Sequence, residues 1–270
     1  MAAPSKSSHL TMRITRNPGG WEATLARLRR ALADDLFVLH FQPIVSLSDR
    51  TVARHEALLR LADGEDGGLV GPNEFLPDAE RHGLIGDIDR WVLERVISLL
   101  AGHNGAELAA GGVAANISAL SVSDPRLAGE LERMFDRYGV EPSMLVLEIT
   151  ETAAIPDLAR ARSFCAAMLE LGCEIALDDF GAGYGGLHLL RELPFSYLKI
   201  DGGFIRRLPT SRADRLIVAA LRELSRGMAS ETVAECVADR ETIAILCEIG
   251  VELAQGFELG RPAPLLAAAA

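Results

Sequence analysis

From Gly112 onward the chain repeats one pattern: a short apolar run that ends on a polar residue, then a longer segment with helical periodicity. Gly112 to Ile117 reads as a strand ending at Asn116. Asp124-Pro125 then caps a helix that runs to Tyr138. Leu145 to Ile149 reads as a strand carrying Glu148, followed by Glu151 and a helix from Pro156 to Leu171. The run Ile175-Ala176-Leu177 ends in Asp178-Asp179 and a glycine-rich loop, and Tyr197 to Ile200 ends at Lys199 and Asp201 before a helix around Asp214 to Arg226. Thr232 to Ala234 leads to Glu235; after a helix from Arg240 to Ile249, Glu252 to Ala254 leads to Gln255. Strand and helix in alternation are the mark of parallel βα units. About 250 residues of them match a (β/α)8-type barrel.

The first part of the chain differs. Trp21 to Ala33 reads as an amphipathic helix, with Leu25, Leu28 and Leu32 at helical spacing. Phe37 to Val45, containing Gln42-Pro43, and Thr51 to Leu59 read as two strands of a hairpin across Ser48-Asp49-Arg50. The second carries Glu56, whose apolar neighbours leave it no evident solvent face. A Gly/Asp-rich loop from Asp63 to Gly71 follows, then helices from Pro72-Asn73 to His82 and from Asp87 to Leu100. Residues 1–20 read as a flexible polar tail and 21–270 as the barrel domain.

Placement is what gives these polar residues meaning. Asn116, Glu148, Asp178, Lys199, Glu235 and Gln255 fall at C-terminal strand ends, with Glu56 near the end of its own strand. In a barrel those ends converge on one face, where such folds keep their chemistry. One polar strand end is unremarkable, but seven make a merely solvated rim a poor account. Asp178-Asp179 alone also reads as a helix N-cap beside a solvated neighbour. Gly181, Gly183 and Gly186 spell G-x-G-x-x-G, with Asp201 about 20 residues on, as in a dinucleotide fingerprint. A pyrophosphate would have to approach past two carboxylates, however, and that fingerprint normally opens its domain.

Carboxylates from Glu56, Glu148 and Asp178 with an amide oxygen from Asn116 form an all-oxygen set. Such a set suits Mg²⁺ or Mn²⁺ and is poor for zinc. Asp179 extends it to a second ion. Two metals activate water and steady both oxygens of an in-line phosphoryl displacement, so phosphodiester hydrolysis fits. An enolase-type barrel also places acids and Lys around Mg²⁺, so the residues alone leave the substrate open. The net charge of −11 argues against a nucleic-acid polymer as partner. Cys165, Cys173, Cys236 and Cys247 form no C-x-x-C pair and suggest reduced, mostly buried thiols in the cytoplasm. No apolar run approaches the ~18 residues of a membrane span, and no signal peptide is evident.

From about Phe37 to Pro264 the chain resembles the EAL-domain family of cyclic di-GMP phosphodiesterases, TIM-like barrels with an antiparallel strand near the start. The naming motif stands as Glu56-Ala57-Leu58, within Phe41-Gln42-Pro43-Ile44-Val45 and Glu56-Ala57-Leu58-Leu59-Arg60. Asn116-Ile117-Ser118, Glu148-Ile149-Thr150-Glu151, Asp178-Asp179-Phe180-Gly181, Leu198-Lys199-Ile200-Asp201, Val233-Ala234-Glu235 and Gln255-Gly256-Phe257 follow in order.

The resemblance implies hydrolysis of one bond of cyclic di-GMP to linear pGpG with two Mg²⁺ or Mn²⁺ ions. Glu56, Asn116, Glu148, Asp178 and Asp179 would hold metal, while Lys199 and Glu235 would serve the attacking water. Gln42, Leu58, Arg60, Asp201 and Gln255 would contact substrate, with Arg60 on phosphate. Gly181 and Gly183 would belong to a mobile loop braced by Glu151 and coupled to a homodimer. A regulatory domain elsewhere in the protein is a further expectation. The sequence departs from the family at Ala234-Glu235-Cys236-Val237-Ala238, where the usual second glutamate is Ala238 and the usual glycine is Cys236, read as packing. Loss of that carboxylate leaves a non-cleaving cyclic di-GMP receptor as the alternative reading.

Overall fold

The protein is described by a computed structural model covering residues 20–62, 68–102, 108, 111–151, 155–183 and 186–265. The expected tail falls outside these residues up to Gly20, which is the first residue of helix α1 (Gly20–Ala33). There follow β1 (Phe37–Ser46), β2 (Val52–Ala62), β3 (Leu69–Val70), α2 (Leu76–Arg81), α3 (Ile85–Ala101), β4 (Val113–Asn116), α4 (Ala119–Val122) and α5 (Leu127–Tyr138). The second half runs β5 (Leu145–Thr150), α6 (Leu158–Leu171), β6 (Glu174–Phe180), α7 (Gly186–Glu192), β7 (Tyr197–Ile200) and α8 (Gly202–Ile205). It closes with α9 (Arg212–Gly227), β8 (Glu231–Ala234), α10 (Arg240–Ile249) and β9 (Leu253–Gln255).

The sheet runs β1-β9-β8-β7-β6-β5-β4-β2, and β1 pairs back to β2, so eight strands close a barrel. β3 hangs from β2 outside the ring. β1 is antiparallel to both neighbours, β2 and β9, and every other pair in the ring is parallel. The expected barrel with an antiparallel strand near the start is therefore observed. The βα units are punctuated by their own chemistry. Asp157, Ser211 and Asp239 accept backbone N–H bonds at the starts of α6, α9 and α10, and left-handed Gly139, Gly172 and Gly250 end α5, α6 and α10.

Strand periodicity builds the interior in layers. Ile44, Ala114, Val146, Ala176, Tyr197, Val233 and Leu253 form a buried apolar layer inside the barrel. Side chains two residues apart on a strand share a face. Each of these residues therefore stacks below a polar one: Gln42, Asn116, Glu148, Asp178, Lys199, Glu235 and Gln255. For β1 the step is backwards in sequence, because that strand runs the other way. The opposite strand faces pack on the helices as a second, larger core that includes Leu147, Ile149, Ile175, Leu177 and Leu198.

Arg54 sits two residues before Glu56, at the level of Tyr197. Its Nη1 lies 2.7 Å from Glu174 Oε2, its Nη2 donates to Tyr197 Oη at 2.6 Å, and its guanidinium lies 4.4 Å from the Tyr197 ring centroid. This group closes the barrel floor at the level of the apolar layer, through Tyr197.

Candidate active site

The polar layer is organised on one cation. Lys199 is 1% exposed, and its Nζ lies 2.8 Å from Glu148 Oε2, 2.9 Å from Asp178 Oδ1, 3.0 Å from Glu235 Oε1 and 3.7 Å from Glu56 Oε2. Burial opposes its charge, but the carboxylates of Asp178, Glu148, Glu235 and Glu56 outweigh that and hold its pKa well above the ordinary lysine value. Lys199 is thus a fixed ammonium and not a base. The acids respond in the other direction. Burial, reinforced by Glu56 and Asp178 against the opposing pull of Lys199, raises Glu148 well above the usual carboxylate range. Burial, again reinforced by Asp178 and Glu56 against Lys199, pushes Glu235 up to about 8.

Glu56 is held from two sides, by Asn116 Nδ2 on Oε1 at 2.9 Å and by Gln255 Nε2 on Oε2 at 2.6 Å. Gln255 Nε2 also reaches Gln42 Oε1 at 3.1 Å, and Gln42 Nε2 donates to the Gly260 carbonyl at 3.0 Å. With the Asn116 nitrogen turned toward Glu56 and, at 3.4 Å, toward Glu148, the amide would have to rotate to offer its oxygen to a cation.

Asp178 and Asp179 show how neighbouring carboxylates can converge. The β6–β7 register slips between Leu177 and Phe180, and Asp179 adopts a left-handed φ of 54°. Asp178 Oδ1 accepts the Asp179 N–H at 2.8 Å, which braces the bend. Oxygens of Asp178, Asp179 and Glu235 consequently lie within 4.8 Å of one another, a cluster that could hold a metal ion. Burial, together with Asp178, raises Asp179 to about 6. Four acids surround a single lysine, Asp179 stands beside them, and all the donors are hard oxygens. The set fits divalent cations of the Mg²⁺ type.

The remaining expected residues sit around this ring. Glu151 accepts the Gly181 N–H, and Gly181 (φ 96°) leaves room for Phe204, whose Cε2 would be 2.4 Å from an added Cβ. Gly183 lies beyond it; residues 184 and 185 of the expected loop are outside the described residues. Asp201 caps α8 through the Gly203 N–H at 2.8 Å. Leu58 lines a cavity of about 280 Å³ shared with Asn116, Ser118, Pro72 and Asn73. Arg60 stands higher on β2, with Nη1 on the Leu59 carbonyl at 2.8 Å, and is not drawn into the ring.

Sequence reasoning missed Asp89. It lies on the buried face of α3 and on the wall of this cavity, with Oδ2 accepting the Ser118 hydroxyl at 2.6 Å and the Ser118 N–H at 3.0 Å. Burial raises its pKa. An acid in helical phase with Ile85, Ile88 and Val92 was the available signal.

Two expectations change. Cys165 and Cys173 are buried, but Cys236 and Cys247 are exposed, so only half of the thiols match. Cys236 does pack against Gly202, where an added Cβ would lie 2.6 Å from its Sγ, and it does so from a left-handed turn (φ 56°), the conformation a glycine accepts without strain. The dinucleotide-fingerprint reading is also overturned, because the sheet is a closed barrel and not an open doubly wound one.

A closed βα barrel with an acidic, lysine-centred cluster at its C-terminal face defines the class as a TIM-like barrel with its polar site at the strand ends. Within that class, the EAL domain family model matches residues 25–262, and the chain belongs to the EAL domain family. It is 36% identical over 244 residues to the cyclic di-GMP phosphodiesterase PdeF of Escherichia coli (strain K12), covering 90% of this chain and 32% of that protein. The chain therefore spans about a third of the length of such relatives. Among solved structures it is similar to the PaMucR phosphodiesterase in complex with c-di-GMP (37% identity, TM-score 0.81, 90% of this chain and 98% of that one). It is also similar to the Xanthomonas citri FimX EAL domain in complex with c-diGMP (29% identity, TM-score 0.82, 92% and 96%).

Proposed function

We propose that this domain hydrolyses one phosphodiester bond of cyclic di-GMP to give linear pGpG. The observation that carries the reading is the intact ring, in which Glu56, Glu148, Asp178 and Glu235 all lie within 4 Å of Lys199 Nζ and none is replaced. The kinship with proteins named as cyclic di-GMP phosphodiesterases supports the substrate.

Asp178, Asp179 and Glu235, with Glu56, Glu148 and Asn116, would hold two Mg²⁺ or Mn²⁺ ions. Bound there, such ions supply Lewis acidity toward phosphate and lower the pKa of water. The side chains supply the rest. Lys199 keeps its proton and steadies charge developing on the phosphate. Glu235, held 3.0 Å from Lys199 Nζ, takes the proton of the attacking water as one P–O bond forms and the bond to a ribose oxygen breaks, that oxygen leaving with a proton drawn from solvent. Leu58 and the cavity beside it receive a guanine, where Asp89 is placed to accept from the N–H edge of the base. Arg60, Gln42, Asp201 and Gln255 complete the substrate contacts, with the Arg60 fork suited to phosphate.

Pairing of two copies through the helices beside the 181–186 loop, control by a domain in the rest of a longer protein, and action in the cytoplasm belong to the same proposal. No described helix is long and apolar enough to cross a membrane. The test is incubation with cyclic di-GMP and Mg²⁺ or Mn²⁺, against a chelator control, with products followed by chromatography. Metal-dependent pGpG is the expected result. Tight binding with the ligand returned uncut would instead make the domain a receptor.

A further inference from the structure

The inner face of β1 continues past the ring toward the mouth of the barrel. Side chains alternate along a strand. On β1, Phe37, Leu39 and Phe41 belong to the core under the helices, whereas Ile44 belongs to the apolar layer inside the barrel. Gln42, two residues from Ile44, meets Gln255 in the ring. His40 is the next residue on that inner face, about 6–7 Å further toward the mouth.

The antiparallel register fixes what surrounds it. His40 stands directly opposite Leu58, as Gln42 stands opposite Glu56 and Val38 opposite Arg60. Directly opposed residues of an antiparallel pair have Cβ atoms about 4.5–5.5 Å apart, and diagonal neighbours stay within reach of long side chains. A ligand lying on Leu58 is therefore within reach of His40, and Arg60 is the diagonal neighbour. The imidazole is half-buried, and among the described residues its nitrogens make no hydrogen bond. Burial and the Arg60 guanidinium both lower its pKa, so at neutral pH the ring is uncharged and carries one N–H donor and one acceptor nitrogen. An unused donor beside a guanidinium, opposite the leucine of the cavity, is suited to an anionic group entering the mouth.

We infer that His40 donates its N–H to the phosphate of the dinucleotide that Arg60 grips, and that this pair of donors sets substrate affinity at the barrel mouth. This rests on the proposed substrate. A neutral imidazole adds a donor without a second positive charge for Arg60 to repel. A hydrogen bond to a charged group is worth enough for its loss to weaken binding about tenfold.

The experiment compares the wild-type protein with His40→Phe, His40→Gln, Arg60→Met and the double variant His40→Phe/Arg60→Met. It reads kcat and KM for cyclic di-GMP with Mn²⁺, and Kd for cyclic di-GMP by calorimetry with Ca²⁺ in place of Mn²⁺. Phe keeps a ring and loses the donor, while Gln keeps an N–H. The Phe variant should raise KM and Kd about tenfold with kcat within about twofold, and Gln should stay within about threefold of wild type. Because both donors hold one phosphate, the double variant should lose less affinity than the product of the two single losses. Unchanged KM and Kd in the Phe variant, a Gln variant as weak as Phe, or single losses that simply multiply would overturn the inference. So would a loss of kcat at unchanged KM, which would mean that His40 acts on Gln42 and Glu56 beneath it and not on the ligand. A wild-type protein that binds without cutting would refute the hydrolytic reading alone, and the Kd series would still decide the role of His40.

Discussion

Replacing Lys199 with Met tests whether the ammonium holds the acids together. The variant keeps the length and apolar stem of the side chain and removes only the charge. Each contact of 2.8–3.0 Å is worth roughly 5 kcal/mol at an effective dielectric of 20, opposed by the cost of burying the ammonium and by repulsion among the acids. Proton uptake by Glu148 and Glu235, whose ionisation burial already disfavours, relieves part of the loss. Removing one member of a buried ion cluster typically costs about 3–5 kcal/mol, which for a domain of this size lowers Tm by about 10 °C.

The assay is thermal unfolding in chelator and again with Mn²⁺. The variant should melt about 10 °C below wild type in chelator and recover part of the gap with the ion, because acids relieved of the ammonium bind a cation more strongly and ligand binding to the folded state stabilises it. Melting within about 2 °C of wild type in chelator would show that Lys199 does not organise the ring, since ~2 °C is less than 1 kcal/mol here. A gap that widens with Mn²⁺ would refute the idea that ammonium and metal compensate the same acids.

Three further outcomes follow from the same geometry. Glu56→Ala should cut kcat/KM at least ~100-fold while leaving the circular dichroism spectrum unchanged, since it removes an acid held by Asn116 and Gln255 and a proposed metal ligand; appreciable pGpG formation would place the metal elsewhere. In chelator, urea stability should fall as pH rises from about 4.5 to about 8. The folded pKa values of Glu235 (about 8) and Asp179 (about 6) exceed the unfolded ones, so the folded state binds more protons in that window; a slope of opposite sign would mean these acids are ionised at no cost. Arg54→Met should lower stability by about 2 kcal/mol by leaving Glu174 and Tyr197 with only each other as partners, with kcat per folded molecule unchanged; an altered kcat would couple the barrel floor to the site.

The eightfold architecture was legible because two periodicities alternate, and because a polar residue repeatedly stands two positions after a small or branched apolar one. What escaped has physical reasons. α4 and α8 have four residues each and β3 two, too short for any period to show. Asp89 is an acid in apolar helical phase, which a hydrophobicity pattern treats as noise. The central place of Lys199 depends on contacts to acids on four other strands or strand ends, which strand-end reasoning grouped but could not rank. Arg60 was grouped with the substrate contacts by family pattern; β2 carries it beyond the ring, to the end of the strand that pairs with Val38 of β1. Cys236 was read as packing where the family block usually differs; that it packs from a left-handed backbone is a tertiary fact.

Ala238 was the residue that most favoured a receptor over an enzyme, and its position argues the other way. It is exposed, next to Asp239, whose carboxylate caps α10 through the Thr242 N–H at 2.7 Å. The acids of the ring are instead positioned by Lys199, Asn116, Gln255 and the Asp178–Asp179 bend, contacts that residue 238 does not enter. A supporting residue whose loss matters typically changes metal affinity or activity 10–100-fold because a ligand loses its orientation. Here each ligand's orientation has another source. Restoring the acid with Ala238→Glu should therefore change kcat by less than about threefold, a shift smaller than 1 kcal/mol in the barrier. A rise of tenfold or more in pGpG formation would show that the ring as it stands is incompletely supported, and that the missing carboxylate had been limiting turnover.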